Sequence, residues 1–248
     1  MKKAVIVAPT LNEQENIEAF LTNVLAQRVR LSGYQLDILV SDSHSQDKTQ
    51  EIVKKMRKRE SGIHLLDVHE KGLGLGLSKG LDYAINRLGA DVLLTMEADL
   101  SNDPNKIPDF LTRLDKADLV IGSRYTLGGG IVNWSWWRKS LSLGANSTLR
   151  LLSFALQIHE FTNLYRAFKK DVWIKLRPRV SIHLGWLFVP AFVFEATTMK
   201  IKIIEEPFIF YDRFGGRSKM RTLSYTRNLL KYALKFRFQK IWNTFSNS

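Results

Sequence analysis

Through residues 1–122, short β-branched runs alternate with segments of helical spacing. This alternation restricts the possible folds more than any other feature of the chain. Ala4–Ala8, Leu36–Val40, Ile63–Val68, Val92–Met96 and Leu119–Ile121 read as strands. Glu13–Arg28, Lys48–Arg59, Leu77–Leu88 and Asn105–Leu114 between them read as helices. Strand and helix repeating at this interval predicts βαβ units, that is, an α/β fold with a mostly parallel central sheet flanked by helices. Asn12 followed by Glu15 reads as a capping-box start, and Asp103-Pro104 as a cap before a first-turn proline.

After Ile121 the rhythm breaks. Residues 123–137 are irregular and rich in glycine and tryptophan, and a helical stretch follows from Arg138 to about Leu156. A short polar segment, an apolar helical region near 182–198 and a strand at Lys200–Glu205 come next. Thr222–Ser248 reads as one or two amphipathic helices, with six Lys/Arg and no acid between Arg221 and Lys240. No linker is visible, so the expected organisation is one domain, 1–220, and a basic amphipathic extension, 221–248.

Composition narrows the partners. Residues 1–120 carry 16 Lys/Arg and 18 Asp/Glu, whereas residues 121–248 carry 21 and 6. A basic second half points to a polyanion: nucleic acid, anionic lipid or a phosphorylated substrate. The absence of cysteine excludes a disulfide framework, a thiolate metal site and a cysteine nucleophile. No signal peptide is read at the N-terminus. The longest uncharged apolar stretch, Leu184–Phe194, is far shorter than the roughly 20 residues of a spanning helix. A peripheral protein is therefore expected.

Ligands of an open α/β sheet bind at the carboxyl ends of its strands. There the sequence places Pro9–Glu13, Ser41–Asp47, Glu97-Ala98-Asp99-Leu100-Ser101 and Gly122-Ser123-Arg124-Tyr125. Two carboxylates one residue apart suit a hard cation that neutralises a diphosphate, although two exposed loop acids read the same way. Lys71–Gly76 has neither the dinucleotide nor the P-loop spacing, so its glycines are read as a tight turn with close backbone approach. The five histidines form no HExxH or i, i+4 pair, which argues against zinc, and no GxSxG elbow is present. Trp134, Trp136 and Trp137 beside Arg138 and Lys139 fit either a core or a membrane interface.

Taken together, Pro9-Thr-x-Asn-Glu13, Ser41-Asp-Ser43, Lys71-Gly-Leu-Gly74 and Glu97–Ser101 resemble family 2 glycosyltransferases of the GT-A, Rossmann-like fold. Gly122–Tyr125, the 128–139 segment and Asp212-Arg213…Ser218-Lys219 are similar to the polyprenyl-phosphate branch, which includes dolichyl-phosphate mannose synthases. The resemblance implies a nucleotide-sugar half, 1–122, and an acceptor half, 123–220. It implies donor contacts from Pro9, Leu11, Glu13, Asp42, Lys71, Glu97, Ala98 and Asp99. Mg²⁺ or Mn²⁺ would sit on Glu97, Asp99 and Ser101. The acceptor phosphate would be bound by Arg124, Arg138, Ser142, Arg213 and Lys219, and the catalytic set would be Asp99, Arg124, Arg138 and Arg213.

The implied reaction is inverting transfer of a hexose, mannose from GDP-mannose, to a polyprenyl or dolichyl phosphate at the cytoplasmic face of a membrane. The C-terminal stretch would meet the bilayer, a small membrane-anchoring partner or its own domain. Departures from the family pattern (Ser43, Glu97, Leu11, Leu164) lie on the donor side. They leave open a UDP-sugar donor, with glucose or an amino sugar, and a catalytically inactive binding subunit. No nucleic-acid motif is found, and nucleic acid is not expected as a partner.

Overall fold

The computed structural model describes residues 1–212 and 227–238. Nine strands and seven helices run in the order β1 (Lys2–Thr10), α1 (Ile17–Leu25), β2 (Tyr34–Asp42), α2 (Thr49–Arg57), β3 (Ile63–Asp67), α3 (Leu73–Asn86), β4 (Val92–Thr95), α4 (Ile107–Arg113), β5 (Leu119–Ser123), β6 (Gly130–Ile131), α5 (Trp136–Ser153), β7 (Arg166–Lys169), α6 (Lys170–Val180), α7 (Phe188–Thr198), β8 (Ile203–Pro207) and β9 (Ile209–Phe210). Residues 227–238 form a further helix, α8.

Seven strands make one sheet in the order β3-β2-β1-β4-β7-β5-β8. All its pairings are parallel except those of β7, which runs antiparallel to both β4 and β5. The two halves of the chain therefore share a sheet. β6 and β9 pair separately beside it.

The near-continuous apolar runs follow from burial on both faces of the sheet. Along β1, Val5 and Val7 enter the core under α3, α6 and α7, while Ala4, Ile6 and Ala8 enter the core under α1, α2 and α4. α8 joins the first core through Leu229, Ala233 and Phe236, with the Phe236 ring 4.7 Å from that of Phe194.

The α/β expectation and all five early strands are met. Four details differ. α1 begins at Ile17, because Asn12 takes a left-handed φ of 53° and its Oδ1 accepts from the Gln46 N–H (2.9 Å) instead of capping a helix. α3 begins at Leu73, four residues early, so the glycine-rich stretch is its first turn. The apolar helix near 182–198 begins only at Phe188, leaving 182–187 as a loop. The polar segment before it contains β7 and α6, which the sequence reading did not contain.

Candidate active site

The carboxyl ends of β1 and β2 are bound into one unit through Asp42, which is fully buried. Its carboxylate accepts from Thr10 Oγ1 (2.8 Å), Ser45 N (2.8 Å), Ser45 Oγ (2.6 Å) and Gln50 Nε2 (2.8 Å). Its oxygens are thus committed to shaping the loops, and the neighbouring Ser43 reaches the cleft in its place.

That cleft, about 220 Å³, is lined by Pro9, Thr10, Leu11, Glu13, Ser43, Gly72, Leu73, Glu97, Ala98, Asp99 and Trp186. Of the expected donor residues, Pro9, Leu11, Glu13, Glu97, Ala98 and Asp99 converge on it. Lys71 is exposed at its edge and is not part of the lining.

Trp186, which sequence reading missed, arrives on the 182–187 loop. Leu75 N donates to Leu184 O (3.1 Å), and a Cβ at Gly74 would lie 2.0 Å from His183 O. Gly72, at φ +146°, has Leu184 O 2.4 Å from where a Cβ would be. These glycines let the loop lie directly on the start of α3.

On the β4 side, Leu100 takes a left-handed φ of 63° and turns the chain so that Ser101 faces back. Its N–H (3.1 Å) and Oγ (2.6 Å) donate to Asp99 Oδ1. Ser101, expected as a metal ligand, thus has its hydroxyl proton on Asp99. Asn102 Nδ2 donates to Glu97 Oε2 (2.5 Å). Burial, and then the charge of Asp99, push the Glu97 carboxyl up to about 7. Asn102 Oδ1 is buried and has no hydrogen-bond partner among the described residues. Glu97 and Asp99 both line the cleft and offer it oxygen donors alone, the chemistry that fits a hard divalent ion.

The basic side begins at the end of β5. Arg124 is buried, its Nε and Nη2 held by Glu160 (2.7 and 2.9 Å), with Nη2 also donating to Thr162 Oγ1 (2.9 Å). Its guanidinium lies 5.6 Å from the centre of the Trp134 ring, and that of Arg138 lies 3.8 Å from the same ring. Arg138 Nη1 also donates to Asp212 (3.1 Å). Ser142 Oγ accepts from the hydroxyl of Tyr125, the residue beside Arg124 (2.7 Å).

Arg124 and Arg138 therefore meet at Trp134, and Ser142 joins the group through Tyr125, the neighbour of Arg124. Trp134 Nε1 is buried without an acceptor among the described residues, an orphan donor between two guanidinia. The charges of Glu97 and Arg124 act on one another, linking the acidic and basic sides. Arg213 and Lys219 lie outside the described residues.

The model of the family described as Glycosyl transferase family 2 matches residues 5–177. Polyprenol monophosphomannose synthase of Mycolicibacterium smegmatis is 32% identical over 235 residues, 94% of this chain and 86% of that protein. Undecaprenyl-phosphate mannosyltransferase of Micrococcus luteus is 32% identical over 219 residues, 88% of this chain and 87% of that protein. Among solved structures, glucosyl-3-phosphoglycerate synthase from Mycobacterium tuberculosis, in complex with Mn²⁺, UDP and glucosyl-3-phosphoglycerate, is similar in fold. Its TM-score is 0.67 at 15% identity, covering 95% of this chain and 79% of that one.

Proposed function

The chain belongs to glycosyl transferase family 2, and from that premise we propose that it transfers mannose from GDP-mannose to the phosphate of a polyprenyl or dolichyl phosphate, inverting the anomeric centre. The observation that carries this reading is that the Arg124 and Arg138 guanidinia both approach the Trp134 ring, whose buried N–H has no acceptor among the described residues. Relatives named for polyprenol and undecaprenyl-phosphate mannosyl transfer support the same acceptor class.

A phosphate acceptor is anionic at neutral pH, so it attacks without a general base. The acceptor oxygen forms a bond to the anomeric carbon as the bond to the donor diphosphate breaks. Arg124, Arg138, Ser142 and the Trp134 N–H, with Arg213 and Lys219, would seat the incoming anion. Glu97 and Asp99 would hold Mg²⁺ or Mn²⁺, which supplies positive charge against the leaving diphosphate. Ser101 keeps Asp99 in place for that task. Pro9, Leu11 and Glu13 would bound the nucleoside, while Asp42 holds the loops that carry them and Lys71 stands at the rim.

The lipid acceptor implies work at a membrane surface, on its cytoplasmic face in this reading. No described helix is long and apolar enough to cross a membrane. α5 has no acid and exposes Trp136, Trp137 and Leu141 beside Arg138 and Lys139, a composition suited to an interface. α8 exposes Leu230, Leu234 and Phe238 with Lys231 and Lys235. We take 1–122 as the nucleotide-sugar half, 123–220 as the acceptor half and 221–248 as the extension that meets the bilayer or a small anchoring partner.

The test is incubation of the purified protein with Mn²⁺, polyprenyl phosphate and labelled GDP-mannose, UDP-glucose or a UDP-amino sugar. Label is expected in the lipid phase from GDP-mannose, and Asp99→Asn abolishes it. Transfer from a UDP-sugar instead selects the second reading, which Ser43 and Leu11 in the cleft favour. No transfer from any donor by folded protein overturns the enzymatic reading.

A further inference from the structure

β2 and β3 pair in parallel register with Asp42 opposite Asp67, which brings together residues that no sequence spacing connects. His44 lies just beyond β2, Asp67 ends β3 and His69 follows two residues later. One ligating atom from each of the three lies within 4.8 Å of the other two. His44 Nδ1 is 3.1 and 3.2 Å from the Asp67 oxygens, and the His44 and His69 rings are 4.5 Å apart at 37°.

His44 reaches this position through a left-handed backbone, φ 54°, a conformation that histidine, like asparagine and aspartate, adopts more readily than most non-glycine residues. Neighbours hold the group in place. Gln46 Nε2 donates to His44 O (3.0 Å), and Gln50 donates to Asp42 while its side chain also lies against Asp67. The His44 and Asp67 side chains keep 44% and 33% of their surface in solvent, so an ion there would retain open positions for water.

We propose that His44, Asp67 and His69 form a second metal site, for Zn²⁺ or a similar borderline divalent ion. Two imidazoles and one carboxylate select such ions over Mg²⁺, which prefers oxygen alone, so this site differs in chemistry from the Glu97–Asp99 pair. The Gln50 contact on Asp67 is of the kind that orients a ligating carboxylate from behind. The site also has a structural consequence. Ser43, next to His44, and Gly72, three residues beyond His69, both line the cleft, so an ion joining the two strand ends ties down both flanks of its mouth. Sequence spacing, which argued against zinc, carries no signal of this cluster, because only strand register brings its residues together.

The test is titration of chelator-stripped protein with Zn²⁺ by calorimetry, with Co²⁺ absorption reporting nitrogen ligation. One Zn²⁺ site is expected in wild type and in Asp99→Asn, weakened at least tenfold in His44→Ala and in His69→Ala. Hydrogen exchange should slow at residues 43–45 and 67–72 when Zn²⁺ binds. His69 is exposed, so His69→Ala should unfold in chelator at the wild-type temperature, separating lost ligation from lost folding. The proposal is overturned by absence of Zn²⁺ binding, by unchanged affinity in both histidine variants, or by loss of the site in Asp99→Asn.

Discussion

Arg124 and Glu160 form a bidentate ion pair inside the protein: Nε and Nη2 lie 2.7 and 2.9 Å from the two carboxylate oxygens, and Glu160 has no exposed surface. The pair turns an arginine at the end of β5 into a fixed fixture of the basic cluster. Because Arg124 is so firmly held, the exposed Arg138 and the Trp134 N–H are the groups of that cluster that would adjust to the acceptor phosphate proposed above.

Removing one partner strands the other as a buried charge. Glu160→Ala is expected to cost about 3–5 kcal/mol of stability, measured by denaturant unfolding. Replacing both residues with apolar ones of similar volume should cost markedly less, because no charge is then left unpaired. A double variant as unstable as Glu160→Ala would show that the pair itself, not the stranded arginine, supplies the stability.

Two glycines should respond in opposite directions. Gly74→Ala puts a methyl 2.0 Å from His183 O and 2.8 Å from Phe188 Cβ, so the loop carrying Trp186 must move. A loss of about 1–3 kcal/mol is expected, with a raised KM for the nucleotide sugar. Gly144 lies within α5 with nothing near its would-be Cβ; Gly144→Ala should stabilise the protein by about 0.5–1 kcal/mol. Thermal melts and donor titrations of both variants check this.

Glu97 makes stability depend on pH. The folded protein keeps its proton up to about 7, whereas the unfolded chain releases it near 4.5. Folded protein binds more protons in that window, so in chelator its contribution to stability is full below pH 4.5 and is lost as pH rises through 7. Glu97→Gln should remove this slope. A bound divalent ion competes with the same proton, so Mn²⁺ affinity should rise over the same range. Unfolding curves at stepped pH, with and without chelator, measure both effects.

Trp136 and Trp137, 74% and 65% exposed, should carry membrane affinity. Each alanine substitution is expected to weaken binding to anionic vesicles about tenfold in a flotation assay. Turnover of a short, water-soluble polyprenyl phosphate should stay unchanged.

The alternating pattern revealed β1 to β5 and their helices because a parallel sheet buried on both faces needs uninterrupted apolar runs. The acids at its carboxyl edge could be located by the same logic. β7 and α6 escaped it for physical reasons. β7 is four residues bounded by Arg166 and Lys169, and Arg166 is buried by donating to Phe161 O, which no periodicity signals. α6 hides its Val172, Trp173, Leu176 and Val180 stripe among four basic residues and Pro178. Trp186 lay in an apolar run that reads as core, and only the glycines of α3 reveal why its loop enters the cleft. Glu160, with no motif around it, was invisible until Arg124 was seen to need a counter-charge.

The position of β7 constrains how the molecule can be made. β4 and β5 do not touch within the sheet; residues 166–169 lie between them. A ribosome that has released only the first 122 residues has therefore produced strands whose shared neighbour does not yet exist, each with an open flank. The sheet closes only after more than forty further residues emerge, so the strands on either side of β7 gain their shared neighbour in one late step.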